Sequence, residues 1–277
     1  MNEAHLHDPL TLYRHWEEQQ WNPFEIDLTT DREQWERMDA ADRDAVLWVV
    51  SSLMVAEERI TTKFSGLIGA YGTEEEATFL ATQQVDEARH MQFYARFQDE
   101  VVSNPHTIAD HVARARRELS PAFGAIFDEA LVEAHEKLVA NPGDAGAKVR
   151  FVTTYHMIIE GTLGLTAFEF IVRYLNEEGL LPGFVDGYSR IHHDEQRHIG
   201  YGVWYLREAL NDDPGLGDDV RETLRAQLPA VSEALAPPTS GDAEGETLGA
   251  TPEEIRKFAI DGLRRRLKIV GAPLSSL

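Results

Sequence analysis

One five-residue word occurs twice in this chain, as Asp-Glu-Ala-Arg-His at residues 86–90 and as Asp-Glu-Gln-Arg-His at residues 194–198. Each copy lies in a stretch whose apolar residues recur every three or four positions, which predicts an amphipathic helix. On a helix, positions i and i+3 share one face, so each word points a carboxylate and an imidazole at one spot. These pairs are Glu87 with His90 and Glu195 with His198. The fold must therefore hold two such helices with these faces turned inward.

Two glutamates upstream of the words complete the pattern. Glu57 follows the apolar run 54–56, and Glu160 follows the apolar run 157–159. A lone carboxylate in such a context is costly unless a cation balances it. In di-metal helical bundles, two helices each supply a Glu and two others each supply Glu-x-x-His. The sequence therefore predicts a di-metal site with these ligands: Glu57, Glu87, His90, Glu160, Glu195 and His198.

Charge and ligand type limit the ions that such a site accepts. Four carboxylates balance two divalent cations, and a mixed carboxylate and imidazole set suits iron and manganese. Glu58 is the alternative to Glu57. The competing interpretation is that these residues form buried salt bridges with Arg89 and Arg197. Asp86 or Asp194 is expected to accept a hydrogen bond from a ligand histidine, whereas His192 and His193 are interpreted as packing or surface residues.

Composition excludes several other classes of protein. The chain has no Cys, which excludes disulfides and thiolate metal sites. Its net charge of −22 argues against binding nucleic acid, whose phosphates would be repelled. No run approaches the ~18 apolar residues of a membrane span, and the N-terminus lacks the layout of a signal peptide. A cytoplasmic protein is the expectation.

The remaining pattern predicts a single all-α domain over residues 1–277. Helices are expected at 40–71, 73–102, 107–139 with a kink near Ser120-Pro121, 145–178, 183–211, 218–235 and 252–270. Thr73 with Glu76 is a capping-box pattern at the start of the second helix. Residues 1–39 are expected to form an irregular arm, and the Pro-, Gly- and acid-rich stretch 236–251 an exposed loop.

With these residues placed, the chain resembles the ribonucleotide reductase small-subunit superfamily over roughly residues 15–270. The ligand pattern is one match, and the segment Trp21-Asn22-Pro23-Phe24-Glu25-Ile26-Asp27 followed by Asp31-Arg32 is another. The resemblance implies a ferritin-like four-helix bundle with additional helices, usually in a homodimer. It also implies that Trp21 hydrogen-bonds Asp194, which in turn orients His90.

The ligand-binding oxidase branch of that superfamily is the closer likeness. Its members hold a manganese–iron pair, bind a long-chain fatty acid beside it, and form a tyrosine–valine ether link when they activate dioxygen. Tyr155, five residues before Glu160, takes the tyrosine position, and Ile60, three residues after Glu57, takes the valine position. The resemblance implies an oxidase with two transition-metal ions (Mn and Fe, or Fe and Fe), a Tyr155–Ile60 link and an unidentified electron donor. Residues expected either to line a lipid channel or to pack as core are Leu163, Leu165 and Phe168.

The true reductase small subunit, which makes a tyrosyl radical, is the alternative. Tyr94, four residues after His90, takes the position of the radical-bearing tyrosine. The C-terminal residues 269–277 lack the tyrosine and acidic tail that dock such a subunit on its partner. A ferritin-like iron-storage protein is a third possibility, in which the Trp21 segment has no role. Tyr94 and Tyr155 also fit plain core packing.

Overall fold

The structure, a computed structural model, describes residues 6–102, 120–235 and 248–273. The elements in these ranges are helices: α1 (Pro9–Glu18), α2 (Thr29–Arg37), α3 (Ala40–Lys63), α4 (Ser65–Gly69), α5 (Glu74–Glu100), α6 (121–140), α7 (145–177), α8 (Pro182–Asp212), α9 (Gly217–Ala234) and α10 (Pro252–Val270). A short 3-10 helix, Pro214–Leu216, precedes α9. Among these residues, no helix has the length and apolar character that a membrane crossing requires.

Four long helices form the bundle on which the candidate ligands lie. Helix α3 packs along α5, the middle of α7 packs along α8, and α5 also contacts α8. Apolar clusters fill the space on both sides of the bundle centre. One includes Phe64 and Phe151, and the other includes Met54 and Phe184. The fold is therefore the all-α, ferritin-like bundle that the sequence predicts.

The middle of α7 differs from the regular helix expected over 145–178. Residues Thr153–Gly164 are π-helical, and the N–H of Leu165 donates to the carbonyl of Glu160, five residues back. A Cβ at Gly161 would lie 2.6 Å from the carbonyl oxygen of His156, so the wide turn requires glycine at this position. The apolar period of the sequence does not reveal such a stretch. π-Helical turns are rare and often occur at functional sites.

The N-terminal arm and the late loop also differ from expectation. Residues 1–39 include α1 and α2, so the arm is not irregular; Asp8 Oδ1 caps α1 by accepting from the N–H of Thr11 at 2.8 Å. Of the loop expected at 236–251, residues 236–247 lie outside the described residues. Ala250 is buried rather than exposed and belongs to a small apolar cluster. Of the helix expected at 107–139, residues 107–119 lie outside the described residues, and α6 begins after Ser120.

The start of α5 has half of the expected capping box. Thr73 Oγ1 accepts the N–H of Glu76 at 3.2 Å, as predicted. The carboxylate of Glu76 does not reach back to Thr73, since it accepts the N–H of Gly72 at 2.5 Å and the ammonium of Lys148 at 2.7 Å. Glu76 is only 3% exposed. A buried partner on α7 has therefore drawn this carboxylate inward.

Candidate metal centre

The six side chains predicted as ligands meet in the middle of the bundle. They form two groups in which one ligand atom per residue lies within 4.8 Å of the others: Glu57, Glu87, His90 and Glu195; and Glu87, Glu160, Glu195 and His198. Both groups share Glu87 from α5 and Glu195 from α8. Glu58, the alternative to Glu57, is half-exposed and lies 3.8 Å from Arg59, whereas Glu57 is 6% exposed and faces the cluster.

Each of the six residues carries one buried polar atom that has no hydrogen-bond partner among the described residues. These atoms are Glu57 Oε2, Glu87 Oε2, His90 Nδ1, Glu160 Oε2, Glu195 Oε2 and His198 Nδ1. Buried polar groups in folded proteins are nearly always paired, and an unpaired one needs an explanation such as an ion. Here the unpaired atoms come from every predicted ligand and converge at one place. The donor set therefore fits a pair of divalent cations.

The electrostatics of the cluster show what a cation would relieve. Burial raises the pKa of Glu57 to about 8, and it raises the pKa of Glu160 well above its ordinary value. Burial alone would lower the pKa of His90, but contacts with Asp194 and Glu57 raise it well above its usual range. Without metal, the cluster therefore holds protons at neutral pH. Cations would take the place of those protons.

Two aspartates hold the ligand histidines from behind, in a crossed arrangement. His90 Nε2, on the first word, lies 3.1 Å from Asp194 Oδ2 on the second word. His198 Nε2, on the second word, lies 3.2 Å from Asp86 Oδ2 on the first. These bonds leave Nδ1 of each ring facing the carboxylates, which fixes the nitrogen available to a metal.

A tryptophan indole supports each aspartate. Trp21 Nε1 donates to Asp194 Oδ2 at 2.8 Å, as the resemblance implied. Trp16 Nε1, which the sequence reasoning missed, donates to Asp86 Oδ1 at the same distance. The sequence feature that could have indicated this role is the position of Trp16, five residues before Trp21, in the segment expected to be irregular. Trp16 lies in α1 and Trp21 lies three residues after its end, and both indoles reach an aspartate of the two words.

The arginines of the two words do not pair with the predicted ligands. Arg89 bonds Asp86 at 2.7 Å and lies 3.8 Å from Asp194. Arg197 bonds Asp194 and lies 3.1 Å from Asp86. The alternative in which these arginines neutralise the glutamates is therefore wrong for the geometry observed. Their charges balance the aspartates. The basic side chains next to the four glutamates are instead His90 and His198.

A polar pair at the Glu160 side was also missed. Gln83 Nε2 donates to Glu160 Oε1 at 3.1 Å, and Gln83 Oε1 lies 3.3 Å from His156 Nε2. Both side chains are fully buried. His156 approaches α8 closely because residue 202 is glycine, and a Cβ there would clash with the His156 side chain. Neither residue has motif spacing, so the sequence pattern did not indicate them.

The predicted reactive side chains lie around the cluster. The hydroxyl of Tyr155 donates to Glu87 Oε1 at 2.6 Å. Burial raises the pKa of the Tyr155 hydroxyl well above 10. Ile60 is 6% exposed and belongs to the same apolar cluster as Tyr155. Tyr94 is fully buried, and its hydroxyl has no hydrogen-bond partner within the described part of the chain. Tyr155, not Tyr94, is therefore the tyrosine bonded to a predicted ligand.

An apolar cavity opens beside the cluster. Its lining includes three of the predicted ligands, Glu57, Glu160 and Glu195. It also includes Leu163, Leu165 and Phe168, for which the sequence left a channel lining and core packing both open. Ile60 and Tyr94 also face it. The ring of His192 stacks on Phe168 at 3.8 Å, which confirms a packing role. The volume of the cavity is about 180 Å³, below the ~300–1,000 Å³ of drug-sized pockets.

Comparison with known proteins gives a family and similar solved structures. The family model described as "Ribonucleotide reductase, small chain" matches residues 1–228. Among solved structures, a variant of an R2-like ligand-binding oxidase with anaerobically reconstituted Mn/Fe cofactor is 25% identical, with 95% of this chain and 93% of that chain covered and a TM-score of 0.82. A second variant of such an oxidase is 24% identical, with 96% and 94% covered and a TM-score of 0.83.

Proposed function

Because the chain belongs to the ribonucleotide reductase small-chain family, we propose that it is a di-metal oxidase of the ligand-binding kind, with manganese and iron as its cofactor. The observation that carries this proposal is the set of unpaired buried atoms, one on each of six convergent side chains. The similar oxidases hold a Mn/Fe cofactor, and the ligand set here is of the oxygen and nitrogen type that both metals accept.

The two groups of side chains would hold one metal each. Glu57 and His90 would serve the first, Glu160 and His198 would serve the second, and Glu87 and Glu195 belong to both groups. When bound, the reduced metal pair supplies the electrons and Lewis acidity for reducing dioxygen. The protein orients both imidazoles through Asp86 and Asp194. The apolar residues around the site exclude water, which prevents side reactions of the oxidised pair.

The first substrate would be the protein itself. The phenol of Tyr155 would lose its O–H hydrogen, the β-carbon of Ile60 would lose its hydrogen, and an ether bond would join the two atoms. The two electrons and two protons released, together with two electrons from the reduced metals and two protons from solvent, would convert one dioxygen into two waters. In support, Tyr155 is bonded to Glu87 at 2.6 Å, and Ile60 is buried beside the metal ligands and lines the cavity.

The external ligand would be a long, narrow apolar chain such as a fatty acid. The cavity walls are largely aliphatic and aromatic, and they include three of the predicted metal ligands, Glu57, Glu160 and Glu195. A carboxylate headgroup beside these ligands would meet the cations, while the chain would lie along Leu163 and Phe168. In that placement the C–H bonds nearest the headgroup would lie next to the metal site.

A reductase small subunit is the second candidate, because Tyr94 is fully buried and faces the same cavity as Glu57. In that case Tyr94 would give up one electron to the metal site together with its hydroxyl proton, and the proton would need an acceptor. The missing hydrogen-bond partner of the Tyr94 hydroxyl within the described residues favours Tyr155 as the tyrosine that reacts.

Peptide mapping separates the two functions. The chain is loaded with Mn(II) and Fe(II) without oxygen, exposed to air and digested. The oxidase predicts that the peptides with Ile60 and Tyr155 appear joined, with a loss of two hydrogens, and that Tyr155→Phe abolishes this product while Tyr94→Phe retains it. A stable tyrosyl radical signal that disappears in Tyr94→Phe, together with unlinked peptides, would establish the reductase function instead.

A further inference from the structure

Two buried polar atoms of the apolar cavity have no role in the proposed reaction. They belong to Tyr94 and His192, which both line the cavity. The hydroxyl oxygen of Tyr94 and Nδ1 of His192 are shielded from solvent and have no hydrogen-bond partner within the described ranges of the chain. A buried polar group that stays unpaired costs free energy, which a suitable ligand atom would recover. These two atoms therefore carry information about the ligand.

Other hydroxyl groups in the lining are already engaged. Ser52 Oγ donates to the carbonyl of Trp48 at 2.8 Å, and Thr166 Oγ1 donates to the carbonyl of Thr162 at 2.6 Å. Each of these bonds lies within a single helix, four residues back along the chain. A tyrosine hydroxyl stands too far from its own backbone to bond in this way, so the hydroxyl of Tyr94 needs a partner from outside its helix.

Tyr94 is a donor that is held in place. Its side chain is fully buried, and its ring centroid lies 6.3 Å from that of Tyr188, which also lines the cavity. Burial raises the pKa of the Tyr94 hydroxyl well above its ordinary value. The hydroxyl therefore keeps its proton at neutral pH and has it available for an acceptor.

His192 is a second donor, because a neighbouring amide determines where its proton lies. The amide nitrogen of Gln196 is 2.9 Å from His192 Nε2, so Nε2 accepts and the proton of the neutral ring is on Nδ1. Burial, and next the charge of His193, lower the pKa of His192 to about 4, which keeps the ring neutral at pH 7. The ring is stacked on Phe168 with its centroid 3.8 Å away. Nδ1–H is thus a fixed donor without an acceptor.

Both donors lie near the metal centre along the helix axes. Tyr94 is four residues after His90 on α5, and His192 is three residues before Glu195 on α8. Each is therefore about one helical turn, ~5.4 Å, from a predicted metal ligand. If a headgroup lies at the metals, the part of the ligand at this level is the first few carbons of its chain.

We propose that the cavity selects an oxygenated acyl chain, which carries a hydroxyl or carbonyl oxygen a few carbons from its headgroup. That oxygen accepts hydrogen bonds from Tyr94 Oη and His192 Nδ1. A plain hydrocarbon chain in the same cavity leaves both donors unpaired, and a site built to bond an oxygen discriminates against the analogue that lacks it. The inference rests on the proposed function, which places the headgroup at the metals.

The test measures ligand binding without any oxidation. The full chain is loaded with Mn(II) in the absence of oxygen and titrated by calorimetry with dodecanoate, 3-hydroxydodecanoate and 12-hydroxydodecanoate. The quantity of interest is the dissociation constant of dodecanoate divided by that of each hydroxylated chain. Tyr94→Phe and His192→Phe each remove one donor, and His192→Phe keeps an aromatic ring against Phe168. Tyr174→Phe is the matched control, because its hydroxyl donates to Asp42 at 3.0 Å and lies outside the cavity lining.

The unaltered chain is expected to bind 3-hydroxydodecanoate about tenfold more tightly than dodecanoate. Each single variant is expected to lower this ratio by about threefold, and the double variant to bring it to about one. Tyr174→Phe keeps the full ratio. The hydroxyl of 12-hydroxydodecanoate lies at the far end of the chain and gives no gain over dodecanoate in any of the proteins.

Three results would overturn the inference: equal constants for dodecanoate and 3-hydroxydodecanoate in the unaltered chain, a full preference that survives in the double variant, or a gain for the 12-hydroxy chain. If Tyr94→Phe does not fold, the ratios in the unaltered chain and in His192→Phe decide the question. A ratio of one with tight binding of dodecanoate rejects the selection of an oxygenated chain alone. A chain that takes up manganese and binds none of the three acids also overturns the apolar ligand of the proposed function.

Discussion

The two groups of ligands contain the same residue types, but the helices and hydrogen bonds that hold them differ. Each has a Glu from one helix and a Glu-x-x-His from another, and each histidine is held by an aspartate of the opposite word. Glu57 lies on the regular helix α3, with Ile60 one turn away at the cavity. Glu160 lies on the π-helical stretch of α7 and accepts a hydrogen bond from Gln83. The repeated word therefore determines the ligand types, whereas the supporting helices make the two positions unequal.

Removing single carboxylates tests whether the two groups are two metal positions, and it has the largest expected effect. Glu87→Ala is expected to abolish binding of both ions, because Glu87 belongs to both groups. Glu57→Ala and Glu160→Ala are each expected to retain about one ion per chain. Elemental analysis after anaerobic loading and desalting measures this, with Glu58→Ala as the control. Two ions retained by Glu87→Ala would refute the shared position.

The pH dependence of metal binding tests the proton that Glu57 holds. Burial raises the pKa of Glu57 to about 8 and also raises that of Glu160, so the carboxyl group of Glu57 carries a proton at pH 7 that a cation must displace. Affinity for Mn(II) is then expected to rise with pH between 6 and 8, by about tenfold per pH unit for each proton displaced. Titrations at several pH values measure the slope. An affinity independent of pH would mean that the carboxylates are already ionised.

The two indoles test whether the crossed supports are equivalent. Trp16→Phe and Trp21→Phe each remove one hydrogen bond to an aspartate, worth about 0.5–1.5 kcal/mol, so each is expected to weaken metal binding by up to about tenfold. The effect should be similar for both, since both bonds are 2.8 Å long. Mn(II) titrations of the two variants measure it. A loss confined to Trp21→Phe would show that only one half depends on its indole.

A pair of glycines on α8 tests the close approach at the Glu160 side. Gly202→Ala would place a Cβ against the His156 side chain and is expected to destabilise the fold by about 1–3 kcal/mol. Gly200→Ala meets only Leu12, at 3.7 Å, and is expected to stabilise the helix by up to about 1 kcal/mol. Urea unfolding of both variants measures the difference. Equal urea midpoints for the two variants would mean that α7 moves to accommodate the added methyl group at little cost.

The sequence predicted the bundle and the convergence of the six side chains because both follow from periodicity and spacing. The helix bounds were close: α10 spans Pro252–Val270, as expected, and α8 differs by one residue at each end. The roles of Glu57 and the other predicted ligands remain a prediction, as do those of Tyr155, Ile60 and Tyr94. The sequence pattern did not contain the contacts between helices through which Trp16, Gln83 and His156 act. It also did not indicate the π-helical stretch of α7, because the spacing of the apolar residues does not distinguish that stretch from a regular helix.

The crossed aspartates also constrain how such a chain is able to vary. Asp86 belongs to the first word and holds a histidine of the second, while Asp194 does the reverse. A substitution of either aspartate is therefore felt first at the histidine of the other metal position, more than a hundred residues away in the sequence. Sequence changes in the two halves of the molecule are therefore coupled. Neither half would retain a complete metal position if it were expressed as a fragment.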